Sequence, residues 1–116
     1  MSVMQNTHGY KISKNSPNLW LKKFPWKQFS GHKYSRGRVV VYGGKRELIG
    51  ATILSSLAAL KTGTGSIKII CSKSTLDAYS IKFPSALKIK ISNIKELKNF
   101  LKKEKITALL IGPGAG

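Results

Sequence analysis

The sequence predicts an α/β fold: alternating βαβ units around a mostly parallel sheet. Three observations carry that prediction. Short runs rich in β-branched and aliphatic residues recur along the chain, in "RVVVY", "SIKIIC", "ALKIKI" and "ITALLIG". The segments between them place apolar residues at helical spacing. Glycine clusters, "GG" and "GPGAG", follow the first and last of the strand-like runs. Strands that alternate with helices join through right-handed crossovers into parallel sheets.

Residues 1–31 read as a polar, irregular arm broken by Asn15, Ser16, Pro17, Pro25 and Gly31. Within it "NLWLKKFPW" carries Trp20, Phe24 and Trp26, aromatics that read as a packing clasp rather than a ligand platform. The texture changes from Arg38. "RVVVY", bounded by Gly37 and by Gly43-Gly44, predicts a buried strand. From Glu47 to Leu60 the apolar residues Leu48, Ala51, Ile53, Leu54, Leu57, Ala58 and Leu60 predict a helix, with Gly63 as its C-terminal cap.

"SIKIIC" is the second strand, from Ser66 to Cys71. A short helix follows, with Ser72 and Ser74 as candidate N-caps, and Pro84 ends it. Residues 86–91 alternate and predict a third strand at an edge. Asn93 caps a predicted amphipathic helix with Ile94, Leu97, Phe100 and Leu101 on one face, and "ITALLIG" supplies the fourth strand.

Composition narrows the function classes. The 116 residues suffice for one small domain. No apolar run approaches the ~20 residues that span a membrane, and the stretch from Met1 to Tyr10 lacks the apolar core of a signal peptide, so a cytoplasmic protein is expected. Cys71, the single cysteine, excludes an internal disulfide and a cysteine-based zinc site, and its apolar setting predicts a buried structural thiol. The net charge of +17 suggests a polyanionic partner. Against nucleic acid as the main partner, only Arg36, Arg38 and Arg46 are arginines and the lysines are scattered.

In an open parallel sheet, ligands bind beyond the carboxyl ends of the strands. Both glycine segments fall there, and Lys45 and Arg46 add charge to the first. Neither carries a P-loop or GxGxxG fingerprint, and tight strand-to-helix turning explains them as well as ligand contact does. The acids are Glu47, Asp77, Glu96 and Glu104, the last two expected on the solvent side of their helix. The histidines are His8 and His32, and no carboxylate or imidazole follows the fourth strand. A self-sufficient hydrolase or transferase is hard to assemble from this set.

The stretch "HKYSRGRVVVYGGKRELIGATILSSLAALKTGTGSIKII" resembles the opening of the ADP/ATP-dependent NAD(P)H-hydrate dehydratase domain of the ribokinase-like superfamily. The matching features, in order, are His32-Lys33-Tyr34 with Arg36-Gly37, the strand and its small-residue turn, and Gly50-Ala51 leading into "SSLAALKTGTG". The strand ending in Gly112-Pro113-Gly114-Ala115-Gly116 resembles the family's "GPGLG". The resemblance implies a partial ribokinase-like fold, with residues 32–116 as the N-terminal half of the domain. "NSPNLWL" resembles the linker that follows an epimerase domain in bifunctional relatives.

The function implied is repair of hydrated NADH or NADPH by ATP- or ADP-driven dehydration, in which the ring hydroxyl is phosphorylated and eliminated with Mg²⁺ assisting. Carried over by position, Gly50 and Ala51 would line the hydrated-nicotinamide pocket, and Gly112 and Gly114 would pack on the same substrate. The family's "PHPGE"-like segment, its "GxGD" motif and a later nucleotide-holding lysine segment have no counterpart in these 116 residues. No catalytic or metal-binding residue is therefore assigned, and the chain is expected to be silent alone. A complementing C-terminal half or a separate epimerase chain would be its partners. The other readings are an adaptor to that epimerase and a small basic module that binds nucleic acid.

Overall fold

A computed structural model describes residues 6–7, 10–11, 13–24, 36–112 and 114–115. His8, Trp26, His32, Lys33, Tyr34, Pro113 and Gly116 lie outside the described residues, as do Pro25 and Gly31. The chain divides into two compact units, Met1–Ser30 and Gly31–Gly116.

The first unit contains more local order than its composition suggests. Strands β1 (Asn6–Thr7) and β2 (Tyr10–Lys11) form a two-rung antiparallel ladder. Two 3₁₀ turns follow, Pro17–Leu19 and Leu21–Lys23. Proline at the start of the first has the φ that such a turn needs. The Trp20 indole N–H donates to Asn15 Oδ1 at 3.1 Å, and its ring tilts against Phe24 with centroids 6.0 Å apart.

The second unit has the predicted α/β fold, with βαβ units around a parallel sheet. Its sheet holds β3 (Arg38–Tyr42), β4 (Ser66–Cys71), β5 (Leu87–Lys90) and β6 (Ala108–Leu110) in the order β5-β4-β3-β6. Every pairing in it is parallel. From β3 the chain steps outward to β4 and β5 through helices α1 (Ile49–Lys61) and α2 (Lys73–Lys82). Helix α3 (Ile94–Lys103) then carries it back past β4 to place β6 on the other side of β3.

Alternation along the strands separates the two faces of the sheet. Val39 and Val41, with Ile67, Ile69 and Cys71, pack against Ile49, Ile53 and Leu60 of α1 and against Leu76, Tyr79 and Phe83. Lys68 points the opposite way, where its Nζ meets Glu104 Oε1 at 2.7 Å and stands 5.9 Å from the centre of the Phe100 ring. Helix α3 therefore lies on the face away from α1 and α2.

Three sequence expectations shift. Only part of the apolar set that gives α1 its helical spacing faces inward, Ile53 and Leu60 among it. Thr52 and Ser56 are buried, whereas Leu48, Leu54 and Leu57 are 50%, 68% and 41% exposed. A helix lying flat on a sheet buries a single stripe, and small polar residues in that stripe let it approach closely. Glu96 is exposed as expected, whereas Glu104 is partly buried. Glu96 accepts the Ser92 N–H at 2.8 Å while Asn93 Oδ1 accepts the Glu96 N–H at 2.9 Å, and Glu104 pairs with Lys68. The third strand is shorter than expected, Leu87–Lys90, and sits at an edge.

Candidate functional site

The sheet reverses its direction of growth between β3 and β6. A crevice opens at such a switch point because the connections from two neighbouring strands leave towards opposite faces. The turn after β3 and the loop after β6 meet there. Gly43 N–H donates to Ile70 O at 2.8 Å, and a Cβ on Gly43 would stand 2.6 Å from that oxygen. A Cβ on Gly44 would be 2.7 Å from Leu48 O and 3.3 Å from Gly114 O. Gly114, at φ +87°, would press a Cβ to 2.9 Å from Leu48 Cβ and 3.3 Å from Gly44 Cα. Lys45 N–H reaches Gly114 O at 3.3 Å. The two glycine turns are packed backbone to backbone, at a separation only glycine permits.

Buried side chains hold this contact in place. The Tyr79 hydroxyl, on α2, donates to Gly44 O at 3.0 Å and lies 3.2 Å from Thr52 Oγ1. Thr52 Oγ1 in turn accepts the Gly44 N–H at 3.1 Å. Both polar groups of Gly44 are thus met by side chains from two helices. Burial pushes the Tyr79 phenol above its ordinary pKa, against the pull of its bonds to Thr52 and Gly44. It stays a neutral donor.

Two small concavities flank Tyr42. One, of about 160 Å³, lies among Gly43–Lys45, Cys71, Ser72 and Gly114. The other, of about 60 Å³, lies among Ala51, Thr52, Ser55, Leu110 and Gly112. The structure thus brings Ala51 and Gly112 to one groove and Gly114 to the adjoining one. Gly50 is exposed, and a Cβ there would meet nothing within 4 Å. Lys45 is the charged side chain of these linings. Cys71 is buried as its setting predicts; burial raises its thiol pKa, and Lys88 nearby lowers it less. A larger hollow of about 570 Å³, lined by Arg38, Lys68, Leu87 and Glu104, lies at the amino ends of the strands. The switch-point rule places ligands at the opposite end of such a sheet.

Tyr79 and Thr52 were not legible as site residues. Their partner lies 35 and 8 positions away in sequence, and nothing local marks a tyrosine in a polar helix as the anchor of a distant turn. Among the described residues no group of three or more His, Cys, Asp or Glu is placed to hold a metal, and no helix is long and apolar enough to cross a membrane.

With this sheet order and crevice, the second unit is a ribokinase-like α/β structure. A solved ribokinase-like superfamily protein from Enterococcus faecalis superposes with a TM-score of 0.63 at 30% identity, covering 76% of this chain and 30% of that one. The profile of the NAD(P)H-hydrate dehydratase family matches residues 39–116, and the chain belongs to that family. An ADP-dependent (S)-NAD(P)H-hydrate dehydratase from Streptococcus pneumoniae is 32% identical over 87 residues, covering 75% of this chain and 29% of the relative. A bifunctional NAD(P)H-hydrate repair enzyme from Dictyoglomus turgidum is 30% identical over 94 residues, covering 73% of this chain and 18% of the relative. An ATP-dependent (S)-NAD(P)H-hydrate dehydratase from Ciona intestinalis is 30% identical, covering 82% of this chain and 27% of the relative. The chain spans less than a third of the length of each of these relatives.

Proposed function

We propose that this chain forms the substrate-side wall of a cytoplasmic nicotinamide-repair enzyme, one that dehydrates hydrated NADH or NADPH at the expense of ATP or ADP. The observation that carries the reading is the meeting of the two glycine turns at the switch point, within the segment the family profile matches. In this reading Ala51 and Gly112 border the hydrated nicotinamide, Gly114 shapes the neighbouring cleft, and Gly50 contributes an unobstructed helix start at the rim. Hydration leaves tetrahedral carbons in the ring and puckers it, and a wall free of side chains leaves room for that shape.

A magnesium–nucleotide group does not fit the residues in hand. Glu96 caps α3 and Glu104 is paired with Lys68, while Glu47 and Asp77 stand on separate elements. The chain alone is therefore expected to be silent. Completion would come from a C-terminal half, continuous or separate, and an epimerase chain is a further candidate partner. The test is an assay of purified chain with (S)-hydrated NADH and either ADP or ATP, following the return of reduced-nicotinamide absorbance. Robust turnover by the chain alone would refute the assignment of a substrate wall without catalytic apparatus. Failure of a supplied C-terminal half to restore turnover would count against the repair function itself.

A further inference from the structure

The first unit presents apolar side chains to its surface. None of residues 13–24 is buried, and Leu19, Trp20 and Leu21 are 57%, 42% and 41% exposed. A single exposed leucine is ordinary, whereas three large apolar neighbours exposed together mark an interaction surface. The surroundings are basic. Lys22 and Lys23 follow the three directly, Lys14 precedes the Asn15 that bonds Trp20, and all three lysines are exposed. The sequence holds no Asp or Glu before Glu47 to offset them.

The backbone narrows the choice of partner. The Leu19 and Trp20 amides donate to Ser16 O and Pro17 O, and those of Lys23 and Phe24 donate to Trp20 O and Leu21 O, at distances between 2.9 and 3.3 Å. A segment bonded to itself in this way is poorly suited to joining another chain's sheet as an added strand. Its apolar residues are consecutive, so they also lack the i, i+3, i+4 spacing with which a helix fills a groove. A bilayer interface makes neither demand. It has no fixed shape, and it favours backbone that is already hydrogen-bonded. Tryptophan is favoured in the headgroup layer. Here the indole N–H is met by Asn15 Oδ1 at 3.1 Å, so the ring can enter without leaving a donor unmet.

We propose that Leu19, Trp20 and Leu21, with Lys14, Lys22 and Lys23 around them, bind the surface of an anionic bilayer, lying on it rather than crossing it. The apolar three enter the boundary between headgroups and acyl chains, and the lysines meet the anionic headgroups. Lysine suits that layer, because a point charge on a flexible stem needs no fixed partner geometry. Duplex nucleic acid would engage the lysines through its phosphates and leave Leu19 and Leu21 in water. The proposal concerns where the chain is held, and it stands apart from the repair reading.

The test adds the full chain, carrying Trp26→Phe so that emission reports Trp20 alone, to vesicles of equimolar phosphatidylglycerol and phosphatidylcholine at about 0.1 M salt. Emission should shift to the blue, with partition at least about tenfold stronger than onto pure phosphatidylcholine. Leu19→Ser with Leu21→Ser should weaken partition at least about tenfold, and Lys22→Gln with Lys23→Gln should do the same. Lys98→Gln with Lys102→Gln, at exposed positions of α3, removes equal charge from the second unit and should change partition less than about twofold. No shift with the anionic vesicles overturns the proposal, as does a leucine pair whose loss changes nothing. An equal loss in the α3 pair overturns it too, because adsorption would then belong to the net charge of +17. Emission that is already blue without vesicles and unmoved by them would place Trp20 against protein and overturn it equally.

Discussion

Gly44, Gly114 and Gly50 have identical side chains and different reasons to be glycine. An added methyl group at Gly44 meets Leu48 O of its own turn at 2.7 Å and Gly114 O of the opposing one at 3.3 Å; at Gly114, which also sits at positive φ, it meets Leu48 Cβ across the contact at 2.9 Å. Gly44→Ala and Gly114→Ala should each cost about 1–3 kcal/mol in urea unfolding, whereas Gly50→Ala should stabilise by up to about 1 kcal/mol. Equal effects at the three positions would mean that the turns are not in contact. The buried acids make a second prediction. Tyr79 and Cys71 both have raised pKa values, so the unfolded chain loses these protons first. Their stabilisation is complete below the ordinary thiol value of 9.0 and is lost as pH rises through the folded values. Lys88, whose pKa burial lowers, works in the opposite sense: its charged form burdens the fold at neutral pH and the burden fades as pH climbs. Melting temperature followed from about pH 8 to 11 should therefore fall, and less steeply in Tyr79→Phe. Curves that stay parallel above about pH 10 would remove Tyr79 from the account.

At the scale of the element, the helices show how far local signals reach. Asn93 was readable as an N-cap because the cap is a contact between neighbours, and its side chain does accept the Glu96 N–H. Asn93→Ala should cost about 1 kcal/mol, read by thermal unfolding. Helix α1 was readable as a helix but not by its buried face. Its leucines announce the period, yet the stripe against the sheet runs through Thr52 and Ser56. Thr52 is satisfied by Gly44, whereas Ser56 Oγ is buried with no hydrogen-bond partner among the described residues. Ser56→Ala should thus stabilise the chain by about 1 kcal/mol in the same measurement, and a loss of that size would reveal a partner for the hydroxyl. Strand β6 teaches the converse. "ITALLIG" predicts a strand, and the three residues that pair are exposed, because burial depends on a neighbour that composition cannot supply.

The whole molecule raises the question of charge. A net +17 invites a nucleic-acid reading, but the arginines are few and one lysine, Lys68, is engaged with Glu104 and Phe100. Retention of double-stranded DNA on a filter should vanish by roughly 0.15 M salt. Binding that persists there would restore the basic-module alternative. By itself the sequence determined the class of fold, the order of its strands and helices, the glycine turns and the family. Each of these is written in neighbouring residues, as periodicity, caps and ordered motifs. Only the tertiary structure decided which strand borders which, that the two glycine turns share one crevice, and that Tyr79 and Thr52 secure them. Those facts depend on the crossover through α3, which brings β6 beside β3 from the far end of the sheet, and no local pattern encodes the contacts between segments so distant along the chain.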